Sequence, residues 1–463
     1  MSCITDSMTT HEQGAAPRRT LALAALSLGS FMVLLDSTIL NVALPALGHD
    51  LHASLESFQW VLNSYTLLSA SLPFTGGALG DRFGARRLFL IGTVLFTLAS
   101  LFCSLVPSIE LLIIARAAQG IGAALLLPPS LSLIPHLFHN PGERAAAVAS
   151  QSGIAALAVA SGPLVGGILV DSLGWRSVFL VNLLFGLVAL TLTLAFIPPT
   201  PAQTERKLDL AGQLTIILAL CSLTYVLIEW GHISLPLSEM ALLLFVATTG
   251  AFLAIEARRR HPMLPLQIFS SWSASATTLV SLLYQFSFYG LLFVFALFFQ
   301  EGFGYSAMQT GLAELPQTAV GAFLLLFVAK RVARWLQPST SLAIGMALGA
   351  IGMLLILLGT HTNFFVIALG EMFVGGCGGF TVAPMTTVML SSAPKAYAGI
   401  ASALLSAARS TGGILGVAVL GSILRGQNLS SGIHVTLFIL AAAAALGCLL
   451  SLSARTKGKS QGV

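Results

Sequence analysis

Apolar stretches of about twenty residues recur along this chain, separated by short clusters of Arg, Lys, His, Pro and Gly. They cover 21–45, 57–79, 87–106, 108–130, 145–170 and 175–197, then 211–230 and 239–257, then 273–300, 308–330, 341–360, 363–392, 397–424 and 432–453. A helix of roughly 20 apolar residues crosses ~30 Å of hydrocarbon, so each stretch predicts one membrane span. Two polar punctuations, PPTPAQTERKLDL at 198–210 and RRRHPMLP at 258–265, group the spans as six, two and six. The expected fold is all-α, a polytopic transmembrane helical bundle of about fourteen helices, with two pseudo-symmetric six-helix halves plus two linker helices. Its parts are a tail at 1–20, one half at 21–197, a linker with two helices at 198–272, a second half at 273–453 and a tail at 454–463. A weak internal echo agrees with this division: ASGPLVGG at 160–167 and STGGILGV at 410–417 each follow an Ala- and Ser-rich stretch, eight helices apart.

Composition excludes the main alternatives. With 56% apolar residues, 8% charged ones and a mean hydropathy of +0.91, neither a water-soluble globule nor a disordered chain fits. The net charge of +5 raises nucleic acid as a partner, but its distribution removes that reading. Counting spans from a cytoplasmic N-terminus puts 18 of the 22 Lys and Arg on the cytoplasmic side, against Arg176 and Arg425 outside and Arg116 and Arg409 within helices. This predicts a multi-pass protein of the cell membrane with both termini cytoplasmic and the lipid bilayer as its surroundings. Arg18 and Arg19 precede an apolar run that continues past any cleavage site, so the first helix is read as uncleaved. The five cysteines are isolated and read as small hydrophobes. His136 and His139 have no third ligand, so no metal is expected. No phosphate-cradling loop or nucleophile elbow occurs, so neither an ATP-driven pump nor an enzyme is expected.

Four segments are more specific: LLDSTILNVALP at 34–45, GALGDRFGARR at 77–87, RAAQGIGAA at 116–124 and GPLVGG at 162–167. In this order and at these helix positions, the chain resembles the major facilitator superfamily, in its fourteen-helix drug:proton antiporter branch. FFQEGFGYSAMQTGLAELP at 298–316 and GIASALLSAARSTGGILGVAVLG at 399–421 extend the resemblance over nearly the whole chain. In 77–87, Gly77, Gly80 and Gly84 suit a tight interhelical turn, while Asp81, Arg82, Arg86 and Arg87 are charges held at the membrane surface. The resemblance implies a gating loop there, with Asp81 facing the start of the thirteenth helix near Lys395. Gly162, Pro163, Gly166 and Gly167 remove side-chain bulk and one backbone hydrogen bond from the fifth helix, which makes it a hinge candidate. The resemblance implies that this motif belongs to exporters. Ala85 and Ala158 depart mildly from the family pattern.

Charges inside an apolar helix cost at least ~2.5 kcal/mol each at mid-membrane, so they need a partner or a use. Asp36 lies about 22 Å along the first helix and Arg116 about 12 Å into the fourth from the other side, at levels that let them pair while facing a cavity. Burial disfavours a charged carboxyl and a nearby cation favours it, so such an acid responds to what occupies the site. Asp36 is the candidate proton carrier and Arg116 its modulator, and the resemblance implies the same roles. Glu314, Glu371 and Arg409 are candidates for a substrate or second proton site, or for structural pairs. Trp60, Asn63, Tyr65, Tyr284 and Tyr289 are candidates for an amphipathic pocket. Glu229 reads as an interfacial charge. The functional expectation is a monomeric secondary transporter, without cofactor and driven by the proton gradient. It would export small lipophilic molecules in exchange for protons. A proton-coupled importer of an anionic nutrient and a non-transporting membrane sensor are the alternatives.

Overall fold

The computed structural model describes residues 2–201, 210–229, 235–259, 266–392, 398–425 and 428–454. Every regular element among them is helical. The first stretch of chain forms α1 (Ser2–Leu51), α2 (Leu55–Ser71), α3 (Pro73–Phe83), α4 (Ala85–Leu105), α5 (Ile109–Leu137), α6 (Pro141–Leu173) and α7 (Ser177–Phe196). Then come α8 (Leu210–Glu229) and α9 (Leu235–Arg258). The remainder forms α10 (Trp272–Leu297), α11 (Ala307–Ala313), α12 (Leu315–Phe323), α13 (Ala329–Trp335), α14 (Pro338–Gly359), α15 (Phe364–Ser392), α16 (Ala398–Arg425) and α17 (Leu429–Ser453). A 3-10 turn at Leu266–Ser270 precedes α10, and π turns at Phe298–Gly302 and Leu324–Val328 follow α10 and α12.

Twelve of these helices are long and apolar enough to cross a membrane, or thirteen if the bent pair Ala307–Ala313 and Leu315–Val328 counts as one span. That is short of the fourteen expected, because two runs are broken. Run 57–79 divides at Leu72 into α2, of 17 residues, and α3, of 11. Run 308–330 bends by 43° at Glu314. Each break lies next to a proline in the first turn of the following helix, Pro73 and Pro316, which lacks an N–H and crowds the preceding turn. The segment expected as a gating loop is also mostly helix. Gly77, Gly80, Asp81 and Arg82 lie in α3, and the chain reverses at Gly84 alone, with φ +93°. A side chain at Gly77 would meet nothing within 4 Å, so no turn requires that glycine. Gly84 is also held closely: its position lies against the Thr200 carbonyl, and Arg86 bonds back to Thr200 Oγ1 and the Leu194 carbonyl.

α1 packs along α5, α6 and α7, with α4 along α5 and α7 and α2 along α5. A second set packs α10 along α16 and α17, α14 along α15 and α17, and α12 along α15. The two sets meet where α11 and α12 lie on α6 and where α16 lies on α2. Hydrocarbon solvent gives no hydrophobic drive between helices, so close backbone approach at small residues carries much of this packing. On α6, a Cβ at Gly162 would collide with Thr38 Oγ1, and one at Gly166 would sit 2.7 Å from the Ile39 carbonyl. Gly352 and Gly370 bring α14 and α15 together in the same way. Below, the end where α1 begins is called proximal and the end where it finishes at Leu51 distal.

Gly162→Val places a branched side chain where α1 leaves no room, so it should cost about 1–3 kcal/mol as an overpacking change. A drop of several degrees in the detergent melting temperature is expected, whereas Gly77→Ala should leave that temperature unchanged.

Candidate functional site

A buried polar cluster lies where α1, α5 and α7 meet. Gly120 on α5 allows that helix to approach α2 so closely that a Cβ there would be 2.5 Å from the Tyr65 carbonyl, and this brings Arg116, one turn earlier, between α1 and α2. Arg116 Nη1 donates to Asp36 Oδ2 at 2.5 Å and to Gln119 Oε1 at 2.8 Å, and its Nε donates to the Val61 carbonyl at 3.3 Å. The other carboxylate oxygen, Asp36 Oδ1, accepts from Asn182 Nδ2 at 2.8 Å and from Gln119 Nε2 at 3.2 Å. Ser100 Oγ accepts from Gln119 Nε2 at 2.7 Å. The Tyr65 ring covers the guanidinium at 4.2 Å, and its hydroxyl donates to the Val33 carbonyl.

This arrangement corrects one expectation. Asp36 and Arg116 are each 1% exposed, so they do not face a cavity; Gln119, Asn182 and Tyr65 close over them. Tyr65 therefore belongs to this cluster and not to a pocket wall. Chemically, a carboxylate here is held by one cation and two neutral amides. Protonating it removes the charge that fixes Arg116 and leaves the amides free to exchange partners.

The cluster is joined to the hinge candidate. Pro163 has no N–H for the Val159 carbonyl, which instead accepts from Thr38 Oγ1 of α1, two residues beyond Asp36. On its other side α6 meets the second set: Gly311 of α11 lies against the Pro163 carbonyl, and Gly167 lies against the Ala307 backbone. Gly162, Pro163, Gly166 and Gly167 thus form a contact strip between α1 and α11.

Further distal, polar side chains tie the two sets together. Asp171, at the end of α6, accepts from Ser306 Oγ at 2.5 Å and from the Ala307 and Met308 N–H groups at 3.2 and 3.0 Å, capping α11. Gln300 donates to the Val42 carbonyl, Tyr289 hydroxyl to Ser37 Oγ, and Gln59 to the Val417 and Ala418 carbonyls. Arg425 pairs with Glu56 at 2.6 Å. Beside these bonds lies a cavity of about 500 Å³ lined by His49, His52, Phe58, Leu297, Glu301 and Leu424. A smaller one, of about 230 Å³, lies between α3 and α5, lined by Gly77, Asp81, Pro128 and Ser132. Lys395, the expected neighbour of Asp81, lies outside the described residues.

The remaining candidates are dispersed. Glu314 sits at the α11–α12 break and Glu371 on α15, 1% and 0% exposed, and none of their four carboxyl oxygens has a hydrogen-bond partner among the described residues. Gln317 and Gly321 lie against Gly375, and Leu324 against Gly379, so α12 and α15 run parallel with Glu314 and Glu371 at one level. Arg409, half-buried on α16, pairs with neither. Asn63 is buried with both polar atoms unpartnered. Tyr284 stacks on Phe288 and points its hydroxyl towards Gly378. The Trp60 indole donates to Glu229 of α8 at 3.0 Å, which corrects the reading of Glu229 as a simple interfacial charge. His136 bonds the Ser132 carbonyl, and no metal-ligating group of three occurs among the described residues.

Sequence reasoning missed Gln119, Asn182, Gln59 and Asp171. Gln119 carried a usable signal, since it lies three residues from Arg116 and so on the same helix face. Asn182 was visible only as a lone amide in the otherwise apolar VFLVNLLFGLV.

Comparison with known proteins places these features in a wider setting. The model of the family described as Major Facilitator Superfamily matches residues 26–417. The chain is 36% identical to the multidrug resistance protein Stp of Mycobacterium tuberculosis (strain CDC 1551 / Oshkosh), over 87% of this chain and 75% of that one. It is 33% identical to the methylenomycin A resistance protein of Bacillus subtilis (strain 168), over 92% of both. Among solved structures, the peptide transporter POT in complex with sulfate superposes with a TM-score of 0.71 over 93% of this chain and 94% of that one, at 14% identity, a likeness of fold.

Removing one member of a buried ion pair costs about 3–5 kcal/mol. Arg116→Leu should therefore lower the melting temperature strongly, and Asn182→Ala less, at about 1–3 kcal/mol. Because both act on one carboxylate, the double variant should fall short of the sum. An unchanged melting temperature in Arg116→Leu would remove the pair from the forces holding the fold.

Proposed function

The chain belongs to the Major Facilitator Superfamily and is a multi-pass membrane transporter, not an enzyme, and from that premise we propose that it exports small lipophilic compounds in exchange for protons by alternating access. Similarity to proteins named for multidrug and methylenomycin A resistance supports the export half. The proton half is carried by one observation: Asp36, sealed at 1% exposure, is bonded by Arg116, Gln119 and Asn182, so a proton taken there releases three neighbours together.

In this reading the membrane is the cell membrane, both termini are cytoplasmic, and α2 with α3 cross once as part of a fourteen-span bundle. The two six-helix halves, 21–197 and 273–453, rock about the strip formed by Gly162, Pro163, Gly166 and Gly167. The bonds at Asp171, Gln300, Gln59 and Arg425 close the outer side, and the cavity beside them receives compounds when those bonds part. Asp81, Arg82, Arg86 and the Gly84 turn gate the cytoplasmic side. Tyr284, Tyr289 and Asn63 contact the compound, and Glu314 and Glu371 serve as a second site for a proton or a cationic group. The transporter acts as a monomer with no cofactor. An importer of anions would use Arg116 and Arg409 to hold its cargo, and the Arg116 guanidinium is already committed to Asp36, Gln119 and the Val61 carbonyl.

A hypersensitive bacterial host expressing the protein should survive raised doses of some members of a panel of dyes, quaternary ammonium compounds and antibiotics, and Asp36→Asn should lose that protection while still reaching the membrane. In energised everted vesicles, accumulation should collapse when the pH gradient is dissipated. Transport indifferent to the gradient, or undiminished in Asp36→Asn, would sink the proton half.

A further inference from the structure

The helix α8 stands outside both six-helix sets, and its contacts assign it a position. It packs against α2 and against α16, the pair that forms one of the two seams between the sets. Along its middle, Leu220 and Cys221 lie on a cluster formed by Leu67 and Ala70 of α2 and Ile414 of α16. Its distal end is bonded to both sides of the seam. Glu229 accepts from Trp60 of α2, the Leu227 carbonyl accepts from Ser422 Oγ of α16 at 2.6 Å, and the Ile228 carbonyl accepts from Arg425 of α16 at 2.8 Å. Tyr225 adds a ring contact to Trp60.

The proximal end is bonded where α2 gives way to α3. Gln213 Nε2 donates to the Ser71 carbonyl, and Gln213 Oε1 accepts from Thr75 Oγ1 at 2.7 Å. Pro73 interrupts the helix there, and a helix break leaves carbonyls in need of donors in a medium without water. The Gln213 amide, 4% exposed, supplies one and spans the break. α9 lies on α8, and only 17% of its apolar window is buried, so α8 is interposed between the seam and an outward-facing helix. Along the other seam, where α6 meets α11 and α12, no helix is laid in this way among the described residues.

We propose that α8 is a strap that shuts the α2–α16 seam to the bilayer, so that membrane-dissolved compounds cannot enter the transporter between α2 and α16. The two seams are then unequal, and lateral entry is confined to the α6–α12 side. The closure follows from contacts alone, whereas its consequence for the entry of compounds rests on the export reading above.

The test reads lipid access rather than transport, so its failure and the failure of the export reading are distinguishable. The full-length protein is reconstituted in phosphatidylcholine–phosphatidylglycerol vesicles with an apolar aryl diazirine dissolved in the lipid, photolysed, digested and mapped by mass spectrometry. In the wild type, Leu243 and Val246 of α9 and Leu98 of α4, which are 69%, 60% and 58% exposed, should be labelled, while Leu67, Ala70 and Ile414 stay at background. In Gln213→Ala/Glu229→Ala, seam labelling should rise towards the level of Leu98, with Leu98 itself unchanged as the control for folding. Seam labelling equal to that of Leu98 in the wild type overturns the proposal, whatever the variants do. So does a folded double variant whose seam stays at background. Should the double variant lose the Leu98 pattern, Trp60→Phe/Ser422→Ala, which loosens only the distal end, is measured against the same two outcomes.

Discussion

A carboxylate and a guanidinium placed together inside apolar helices set the terms for the rest of this molecule. Neither Asp36 nor Arg116 reaches water, so each must find its partners within the protein, and the chain supplies them from four helices: α1, α2, α5 and α7. That requirement fixes the mutual rotation of those helices more tightly than apolar packing alone, since hydrocarbon contacts tolerate sliding and a bonded ion pair does not. On the proposed reading, the same constraint is what transport perturbs. Changing the charge of one atom group alters obligations on four helices at once.

From this centre the structure works outward through surfaces without side chains. α6 lies on α1 at Gly162 and Gly166 and on α11 at Gly167, and the carbonyl freed by Pro163 is bonded by Thr38, close to Asp36 in the chain. The ion-pair cluster and the contact between the two sets are therefore joined through rigid backbone, with no long flexible side chain between them. Such a connection passes on small displacements with little loss, because close-packed interiors have few voids in which movement can be absorbed.

Much of this was legible in the residues. Apolar run length located the long helices among the described residues, since twenty apolar residues in sequence have few other uses. The two buried charges stood out by their cost, and GPLVGG by its lack of bulk. What the sequence concealed has physical reasons. The breaks at Leu72 and Glu314 depend on single prolines whose effect varies with the neighbours available to satisfy the backbone, as Gln213 does at Ser71. Trp60 and Tyr65 lie on one helix and looked alike as pocket aromatics, but one faces α8 and the other α5, a difference fixed only when partners are known. The seam residues Gln59, Gln300 and Asp171 make bonds over long sequence separations, to which no local pattern is a guide.

The cap that Asp171 places on α11 has one more consequence. α11 is seven residues long; Ser306 and Gln309 cap it from its own segment, and its first two amides are bonded by a carboxylate from the opposing set. At this end of the bundle the alternative acceptor for those amides is solvent. On the proposed reading, separation there exchanges those hydrogen bonds for hydration, so part of their worth is recovered from water. On that reading the Asp171 joint lies where water can replace it and the sealed ion pair lies at the centre, which lets one end yawn while the middle stays intact.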